Sequence, residues 1–431
     1  MKTRLQTVAL LALVFCQLFL VQLCQAKKPL HWYKGNLHTH SLWSDGNDFP
    51  EMITDWYRRN GYHFLALSDH NILSKGVKWI DAGLPSKRGA IQGVERYVAR
   101  FGKDWVKTRV QKGKKQVRLR RLQEFRGKFE VKSQFLMIQS EEITDRAGGL
   151  PVHINATNIK ELIPPQRGKS VRDVMRRNLI AVERQRARVG RPIMAHLNHP
   201  NYGYAVTAED LAAVVREKFV EVYNGHPSIN HLGDAKHPSV ERMWDIANTI
   251  RVANMKSPPL FAMATDDSHN YFGRRGSSPG RGWIMVQAQA LTPDDLIRSI
   301  EIGRFYASSG VSLQVVDFDR LKRTLTVRVI AKKGVTYTTE FIGTRKGYDT
   351  KTKQLRDDKG KPIRASRQYS KDVGKVLAKV TGTHAVYKLK GDEYYVRAVI
   401  TASTAAENPS FKGQKKQAWT QPVGWRDRLK K

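Results

Sequence analysis

Two histidines flank a single threonine in the stretch NLHTHSLWSD, at His38 and His40, and Asp45 follows closely. In a β-strand, residues i and i+2 point to the same face, so the two imidazoles share one direction. Imidazole and carboxylate groups are ligands of zinc, manganese and iron. One His-x-His among 13 histidines is weak evidence by itself. The pattern predicts a metal site only if other ligand residues occupy equivalent positions.

Such residues do recur, at the carboxyl ends of short apolar runs. HFLALSDH ends in Asp69 and His70, and QFLMIQSEE ends in Glu141 and Glu142. RPIMAHLNHP ends in His196 and His199, KFVEVYNGH in Glu221, Asn224 and His226, and PLFAMATDDSH in Asp266, Asp267 and His269. In a parallel β/α barrel, the carboxyl ends of the strands meet at one mouth, where active sites are built. The placement therefore predicts one shared metal site.

Between Lys27 and about Gly310, the apolar runs alternate with helix-like segments, which predicts a mostly parallel sheet, open or closed into a barrel. The clearest predicted helix begins at Ser170 and ends at Gly190. One apolar stripe runs along it, formed by Val171, Val174, Met175, Leu179 and Val182.

After Gly310 the sequence changes to short β-branched and aromatic runs separated by turn residues. This texture predicts an all-β module, most simply a small sandwich. The expected organisation is a leader at 1–26, an α/β region at 27–310 and the all-β module at 311–431.

The N-terminus is typical of an export signal. Lys2 and Arg4 precede an apolar run that is short for a membrane span, and CQA then suits cleavage after Ala26. We therefore expect a periplasmic or secreted protein without a membrane span in its mature form; an uncleaved anchor is the alternative. The only two cysteines, Cys16 and Cys24, lie in this leader, so any metal must be held by His, Asp and Glu.

The chain is strongly basic, with 75 Lys and Arg against 39 Asp and Glu and a formal net charge of +36. Such a field attracts anions, which indicates an anionic small-molecule or polymeric ester as substrate. From Arg100 to Lys132 there are 13 basic residues against 3 acidic ones, and a second concentration spans 166–191. Nucleic acid is suggested by charge alone, because no nucleic-acid-binding motif accompanies it. Solvated helical faces are the alternative interpretation, and the oligomeric state is left open.

The motifs HTHS, LSDHN, SEEIT, VHI, NHPN and DDSH, taken together, resemble the PHP (polymerase and histidinol phosphatase) superfamily of metal-dependent phosphoesterases. The resemblance spans roughly residues 31–310 and implies a distorted seven-stranded β/α barrel. The stretches EVYNGHP, GRGWIMV, GRFYASSG and AWTQPVGW are similar to exported, carbaryl-hydrolase-type members. Those members also carry a C-terminal β module, which matches the all-β module that the sequence pattern after Gly310 predicts here.

The resemblance implies two or three divalent metal ions (Zn, Mn or Fe), with Glu142 bridging two of them. The implied metal ligands are His38, His40, Asp45, His70, Glu142, His153, His199, Asp267 and His269. Glu142 is preferred to Glu141 because it directly precedes IT, and Asp267 to Asp266 because it gives the Asp-x-His spacing. His196 competes with His199 for its position.

Three of these residues, Glu142, His199 and His269, are expected to take part directly in catalysis. Substrate contacts are expected from Arg281, His226 and Arg275. An arginine can fork onto a phosphoryl or carboxyl oxygen, with a solvated loop charge as the alternative, and His226 ends a run at the same mouth. Asp69 is expected either to orient a ligand histidine or to cap a turn; Glu221 is expected to orient a ligand, to contact substrate or to be structural.

The expected reaction is hydrolysis of a phosphate ester. Hydrolysis of carboxyl esters or carbamates at the same metals, and a non-catalytic basic protein of the cell envelope, are the alternatives.

Overall fold

The computed structural model describes residues 29–273 and 276–429. The predicted leader with its cleavage site, both cysteines and Arg275 lie outside the described residues. Within the described ranges, no helix is both long and apolar enough to cross a membrane.

The described residues form eight α-helices and 21 β-strands. The helices are α1 (Pro50–Arg59), α2 (Leu84–Lys87), α3 (Gly93–Phe101), α4 (Leu122–Phe129), α5 (Val171–Val189), α6 (Ala208–Ala213), α7 (Val240–Thr249) and α8 (Pro293–Glu301). The strands are β1 (His31–Asn36), β2 (Phe64–Leu67), β3 (Lys78–Asp81), β4 (Thr108–Gln111), β5 (Lys114–Leu119), β6 (Leu136–Ala147), β7 (Leu150–Thr157), β8 (Met194–Leu197), β9 (Phe219–Asn224), β10 (Phe261–Thr265), β11 (Trp283–Ala288), β12 (Phe305–Ser308), β13 (Leu313–Asp319), β14 (Thr324–Val329), β15 (Tyr337–Arg345), β16 (Thr352–Lys353), β17 (Gln368–Tyr369), β18 (Lys375–Thr381), β19 (His384–Lys388), β20 (Glu393–Ala405) and β21 (Lys415–Thr420).

The fold is mixed α/β, built on one large sheet. Its 13 strands run in the order β10-β9-β8-β7-β6-β2-β1-β11-β12-β21-β20-β15-β18. β2 pairs in parallel with β1 and β6, and β9 with β8 and β10. β7, however, is antiparallel to both β6 and β8, and β11 is antiparallel to β1. The sheet is therefore mixed, whereas the sequence predicted a mostly parallel one.

The carboxyl ends of β1 and β10 meet, although the two strands are far apart in the order of the sheet. The His40 N–H donates to the Ser268 carbonyl and the Asp267 N–H to the His38 carbonyl, each at 2.9 Å. A parallel bridge between Thr39 and Ser268 lies between these bonds. The segments that follow β1 and β10 are thus held side by side, and with them the ligand-type residues of both.

Helix α5 confirms the helix predicted from its stripe. The Ser170 hydroxyl accepts a hydrogen bond from the Asp173 N–H at the N-cap, and Gly190 ends the helix with a left-handed φ of 67°. All five residues of the predicted stripe are buried. They face the back of β6, β7 and β8, the strands that supply part of the candidate site.

The predicted runs after Gly310 form β13, β14, β15, β19 and β20. Four of the C-terminal strands extend the large sheet, because β21 pairs with β12 and continues through β20 and β15 to β18. The strands β13, β14 and β19 form a separate antiparallel sheet.

A second small antiparallel sheet, β3-β5-β4, pairs β3 with two strands of the basic segment, and the sequence did not predict it to be β-structure. β4 has the sequence TRVQ and is exposed throughout, so it lacks the apolar alternation that identifies a half-buried strand. A two-stranded ribbon of β16 and β17 completes the strands of the described residues.

Candidate metal centre

The structure brings together all nine side chains that the resemblance implies as metal ligands. Their donor atoms form overlapping groups in which every atom lies within 4.8 Å of the others: His40, Asp45, His70 and His269; His38, His40 and Glu142; His38, His199 and Asp267; and Glu142, His153 and His199. These side chains come from segments that are far apart in sequence. Their convergence therefore depends on the fold, which brings these segments to one place.

Glu142 is the centre of this cluster, and its two carboxylate oxygens face different imidazoles. The contacts are Oε1 with His153 Nδ1 at 3.0 Å, His199 Nε2 at 3.4 Å and His38 Nε2 at 3.5 Å, and Oε2 with His70 Nδ1 at 2.6 Å and His40 Nε2 at 3.5 Å. Burial alone would raise the pKa of Glu142, but the surrounding histidines hold it well below its usual range. The surrounding histidines therefore favour the ionised carboxylate, the form in which a carboxylate binds metal.

Several buried donor atoms of the cluster have no hydrogen-bond partner among the described residues. They are His38 Nε2, both ring nitrogens of His40 and Glu142 Oε2, whose close contacts with His70 and Asp267 lack hydrogen-bond geometry. A buried polar atom left unpaired costs about 1–3 kcal/mol. Burial, and then the imidazoles of His269 and His70, lower the pKa of His40 to about 3, which keeps its ring in the neutral, metal-binding form. The chemistry of these donors therefore fits divalent metal ions.

Backbone strain accompanies two of the candidate ligands. His199 has φ 20° and Asp267 has φ 47°, in or at the edge of the left-handed region that non-glycine residues rarely occupy. The turn at His199 separates this residue from His196. The His196 ring instead faces Glu221, with Nε2 at 3.3 Å from Oε1. Strained conformations of this kind concentrate at functional sites.

His153 reaches the cluster by a different route. It lies within β7, opposite Thr144 of β6, in a hairpin whose first strand continues well past Glu142. Because β7 is antiparallel, the rule that ligands follow the carboxyl ends of parallel strands does not apply to it. Only the resemblance to the PHP superfamily pointed to this residue.

Glu221 orients two of the candidate ligands. Its Oε1 lies 2.7 Å from Nδ1 of His38 and accepts the Thr265 hydroxyl proton at 2.7 Å. Its Oε2 accepts the backbone N–H of His199 at 2.9 Å. A carboxylate on one ring nitrogen fixes the tautomer and directs the other nitrogen toward the metal. Of the roles left open for Glu221, the structure shows the orienting one.

Asp69, in contrast, caps the turn that leads to Asp45. Its carboxylate accepts the N–H and hydroxyl groups of both Ser41 and Ser44, at 2.6–3.0 Å. None of these bonds involves a candidate ligand histidine. Its role is to shape the loop between His40 and Asp45.

Asn198 was missed by the sequence reasoning. Its Nδ2 donates to Glu142 Oε1 at 2.8 Å and to Asn155 Oδ1 at 3.0 Å. It therefore helps to fix the carboxylate that the site shares. Its place within LNHP is the only available signal, and an amide next to a ligand motif is too common to be informative.

The residues predicted to contact substrate are placed unequally. Arg281 is only 8% exposed, and its guanidinium donates to the Gly225 carbonyl at 2.7 Å and to Asn408 Oδ1 at 3.1 and 3.2 Å. It thus supports the wall of the site. His226 is half-buried, and its ring lies edge-on to His269 with the centroids 5.4 Å apart. Arg275 lies outside the described residues.

Tyr202 is an aromatic side chain at the rim that no sequence signal identified. It is 40% exposed, and its ring centroid lies 5.3 Å from that of His199 and 6.1 Å from that of His153. An exposed ring beside two candidate ligands can contact the apolar part of a substrate.

No protein-family model matches the chain, and no curated protein matches it. Three solved structures show a weak likeness. A two-domain protein from Bacteroides vulgatus containing a predicted PHP-like metal-dependent phosphoesterase is 16% identical, with a TM-score of 0.38, over 91% of this chain and 96% of that one. A protein from Bifidobacterium adolescentis, assigned as a metal-dependent phosphoesterase, is 15% identical, with a TM-score of 0.29, over 62% and 94%.

The third is an amidohydrolase from Chromobacterium violaceum with bound sulfate and no metal, 16% identical, with a TM-score of 0.25, over 57% of this chain and 88% of that one. At such low identities and TM-scores these likenesses carry no argument about activity.

Proposed function

We propose that the protein is a metal-dependent hydrolase that cleaves phosphate esters at a site of two or three divalent ions. One observation carries the proposal: nine His, Asp and Glu side chains converge, and the two oxygens of Glu142 face separate sets of imidazoles. A carboxylate in that position suits a bridge between two cations. Zinc, manganese and iron accept such a ligand set.

Bound ions of this kind supply Lewis acidity, lower the pKa of a water nucleophile and neutralise charge that builds on phosphoryl oxygens. The role of the chain's own residues is to hold the ions and to orient the side chains that bind them. Glu221 fixes the ring of His38, Asn198 fixes Glu142, and Arg281 braces the wall beside His226. The side chain of Asp45 is 51% exposed and that of His70 is 26% exposed, so this is the side from which a substrate reaches the centre.

We further propose that the chain is a PHP-type enzyme of the exported, carbaryl-hydrolase-like branch. The bonds that join the segments after β1 and β10 support the seven-stranded barrel that the resemblance implies. The all-β sequence pattern after Gly310 supports an organisation in two parts with a boundary near residue 310. Export to the periplasm or beyond is proposed from the leader, and an anionic ester substrate from the basic charge.

Metal analysis combined with a substrate panel tests the function. We expect the purified protein to contain divalent metal and to hydrolyse nitrophenyl phosphate mono- or diesters, with activity lost on chelation and restored by metal. Preference for nitrophenyl acetate or an aryl carbamate would instead assign carboxyl-ester or carbamate chemistry to the same residues. Metal-loaded protein inactive on the whole panel would contradict the hydrolase proposal and favour a binding protein.

A further inference from the structure

A cavity of about 810 Å³ lies at the opposite end of β1 and β10 from the candidate metal centre. Leu30 and Trp32 line it near the start of β1, and Phe261 lines it at the start of β10. The candidate metal ligands follow the other ends of the same strands. At a rise of about 3.3 Å per residue, the chain from Trp32 to His38 separates the two places by about 20 Å. The cavity is therefore distinct from the metal centre.

The charged residues of the cavity are mostly arginines. The lining contains Arg304, Arg320, Arg323, Arg426 and Arg428 against Asp317 and Asp427. Arg428 is engaged with the backbone, because its guanidinium donates to the carbonyls of Glu393 and Gly391. The other four arginines are exposed. Their planar groups are suited to bind a carboxylate, sulfonate or phosphate in a forked geometry.

Between the arginines, the walls are apolar and largely aromatic. Phe305 and Leu325 are buried, and Trp32 and Phe318 are half-buried. The apolar surface extends to the rim of the cavity, where Ile302 is 49% exposed. A cavity of this size suits a small molecule, and apolar walls with a few convergent polar groups are typical of ligand sites. The combination of aromatic walls and a cationic rim selects an anion that carries an apolar body.

We propose that this cavity binds a small amphipathic anion, in which a carboxylate, sulfonate or phosphate group is attached to an aryl or alkyl body. The apolar body lies against Trp32 and Phe318, and the anionic group lies among Arg304, Arg320 and Arg323. The proposal does not depend on the activity proposed for the metal centre, because no candidate metal ligand lines the cavity.

Titration of the full-length protein with naphthoate tests the proposal, by calorimetry and by the fluorescence of the tryptophans that line the cavity. We expect saturable binding at one site and much weaker binding of naphthalenemethanol, which has a similar ring and no charge. Arg304→Gln and Arg323→Gln should each weaken naphthoate binding by about tenfold, the effect of losing a charge-assisted hydrogen bond. Arg298→Gln, an exposed arginine of α8 that does not line the cavity, should bind as the parent does.

Two further variants separate the cavity from other sites. Trp32→Phe should reduce the fluorescence response, and Glu142→Gln should leave naphthoate binding unchanged. Binding that is abolished by Glu142→Gln would place the anion at the metal centre and overturn the proposal. Binding that is equal in the parent, Arg304→Gln and Arg323→Gln, or the absence of saturable binding, would overturn it as well.

Discussion

Oε1 of Glu221 lies 2.7 Å from Nδ1 of His38, while Oε2 of the same carboxylate holds the backbone N–H of His199. One acidic side chain outside the predicted ligand set thus positions two members of it. Glu221→Gln removes the charge and leaves one acceptor oxygen, so either His38 Nδ1 or the His199 N–H faces an amide NH2 and loses its partner. We expect metal affinity and turnover to fall by about 10–100-fold with the fold intact. Metal titration and circular dichroism measure the two effects, and unchanged metal affinity would show that Glu221 is only a packing residue.

Glu142→Gln is expected to reduce both metal content and turnover to near background, because the amide cannot supply two anionic oxygens to the cluster. The adjacent Glu141→Gln is the matched control. Burial raises the pKa of Glu141 to about 8, so its side chain is already neutral near pH 7, and its Oε1 accepts the Ile163 N–H, as an amide oxygen also can. Metal analysis and initial rates of both variants distinguish them. Equal losses in both would contradict the central place of Glu142.

Glu217 makes stability depend on pH. Burial raises its pKa from about 4.5 to about 8, although the Phe219 N–H and Arg251 oppose the shift. Between these pH values the unfolded chain releases the proton that the folded chain retains, so stability falls as pH rises. We expect Glu217→Gln to raise the melting temperature increasingly from about pH 5 to about pH 8. Glu95→Gln, at an exposed position on α3, is the control, and a pH-independent difference for Glu217→Gln would contradict the shift.

The buried ion pair of Arg397 with Asp245 ties β20 to α7. The guanidinium donates to Asp245 at 2.8 and 2.6 Å, and Tyr395 donates to the same carboxylate at 2.9 Å. Arg397→Leu leaves an uncompensated buried charge, which costs about 3–5 kcal/mol of unfolding free energy. Urea denaturation measures this. The control Arg298→Leu breaks an exposed pair with Asp294 and should cost less than about 1 kcal/mol; equal effects would contradict the role of burial.

The basic turn between β4 and β5 is expected to act on substrate capture. Lys112, Lys114 and Lys115 lie on this exposed hairpin, and charges there attract anions over about 8 Å at physiological salt. Neutralising all three should raise KM for an anionic polymeric ester and leave kcat nearly unchanged, as added salt should. Neutralising the exposed Lys351, Lys353 and Lys359 is the control. Lost turnover with unchanged KM would show that the hairpin reaches the chemical site.

The candidate ligands were predictable where strand polarity determined their position. His70 and Asp267 follow β2 and β10, and Glu142 lies within β6 in a parallel bridge with His70, so parallel pairing brings these segments together. His153 was not predictable on that ground, because its strand reverses direction. Asn198 and Tyr202 were missed because an amide or a phenol beside a ligand motif has no distinctive spacing.

Arg281 shows a different limit. An arginine on a glycine-rich loop is expected to face solvent or substrate, but here its guanidinium is covered by Asn408 from the C-terminal part of the chain. That contact joins residues 127 positions apart, and local sequence patterns do not report contacts at such separations. The sheet of β3, β4 and β5 was missed for a different reason: β4 is exposed and carries no apolar alternation, and β3 and β5 contain only two apolar residues each.

The pairing of β12 with β21 has a consequence for how the chain can be divided. In the register of this pair, Tyr306 lies opposite Thr420, Ala307 opposite Trp419 and Ser308 opposite Ala418. All four residues of β12 are buried. A chain cut near residue 310 would lose β21 and leave β12 with a row of unpaired N–H and C=O groups on an apolar strand. Open edges of that kind pair with other molecules and start aggregation. The C-terminal strands thus protect the solubility of the part that carries the metal centre.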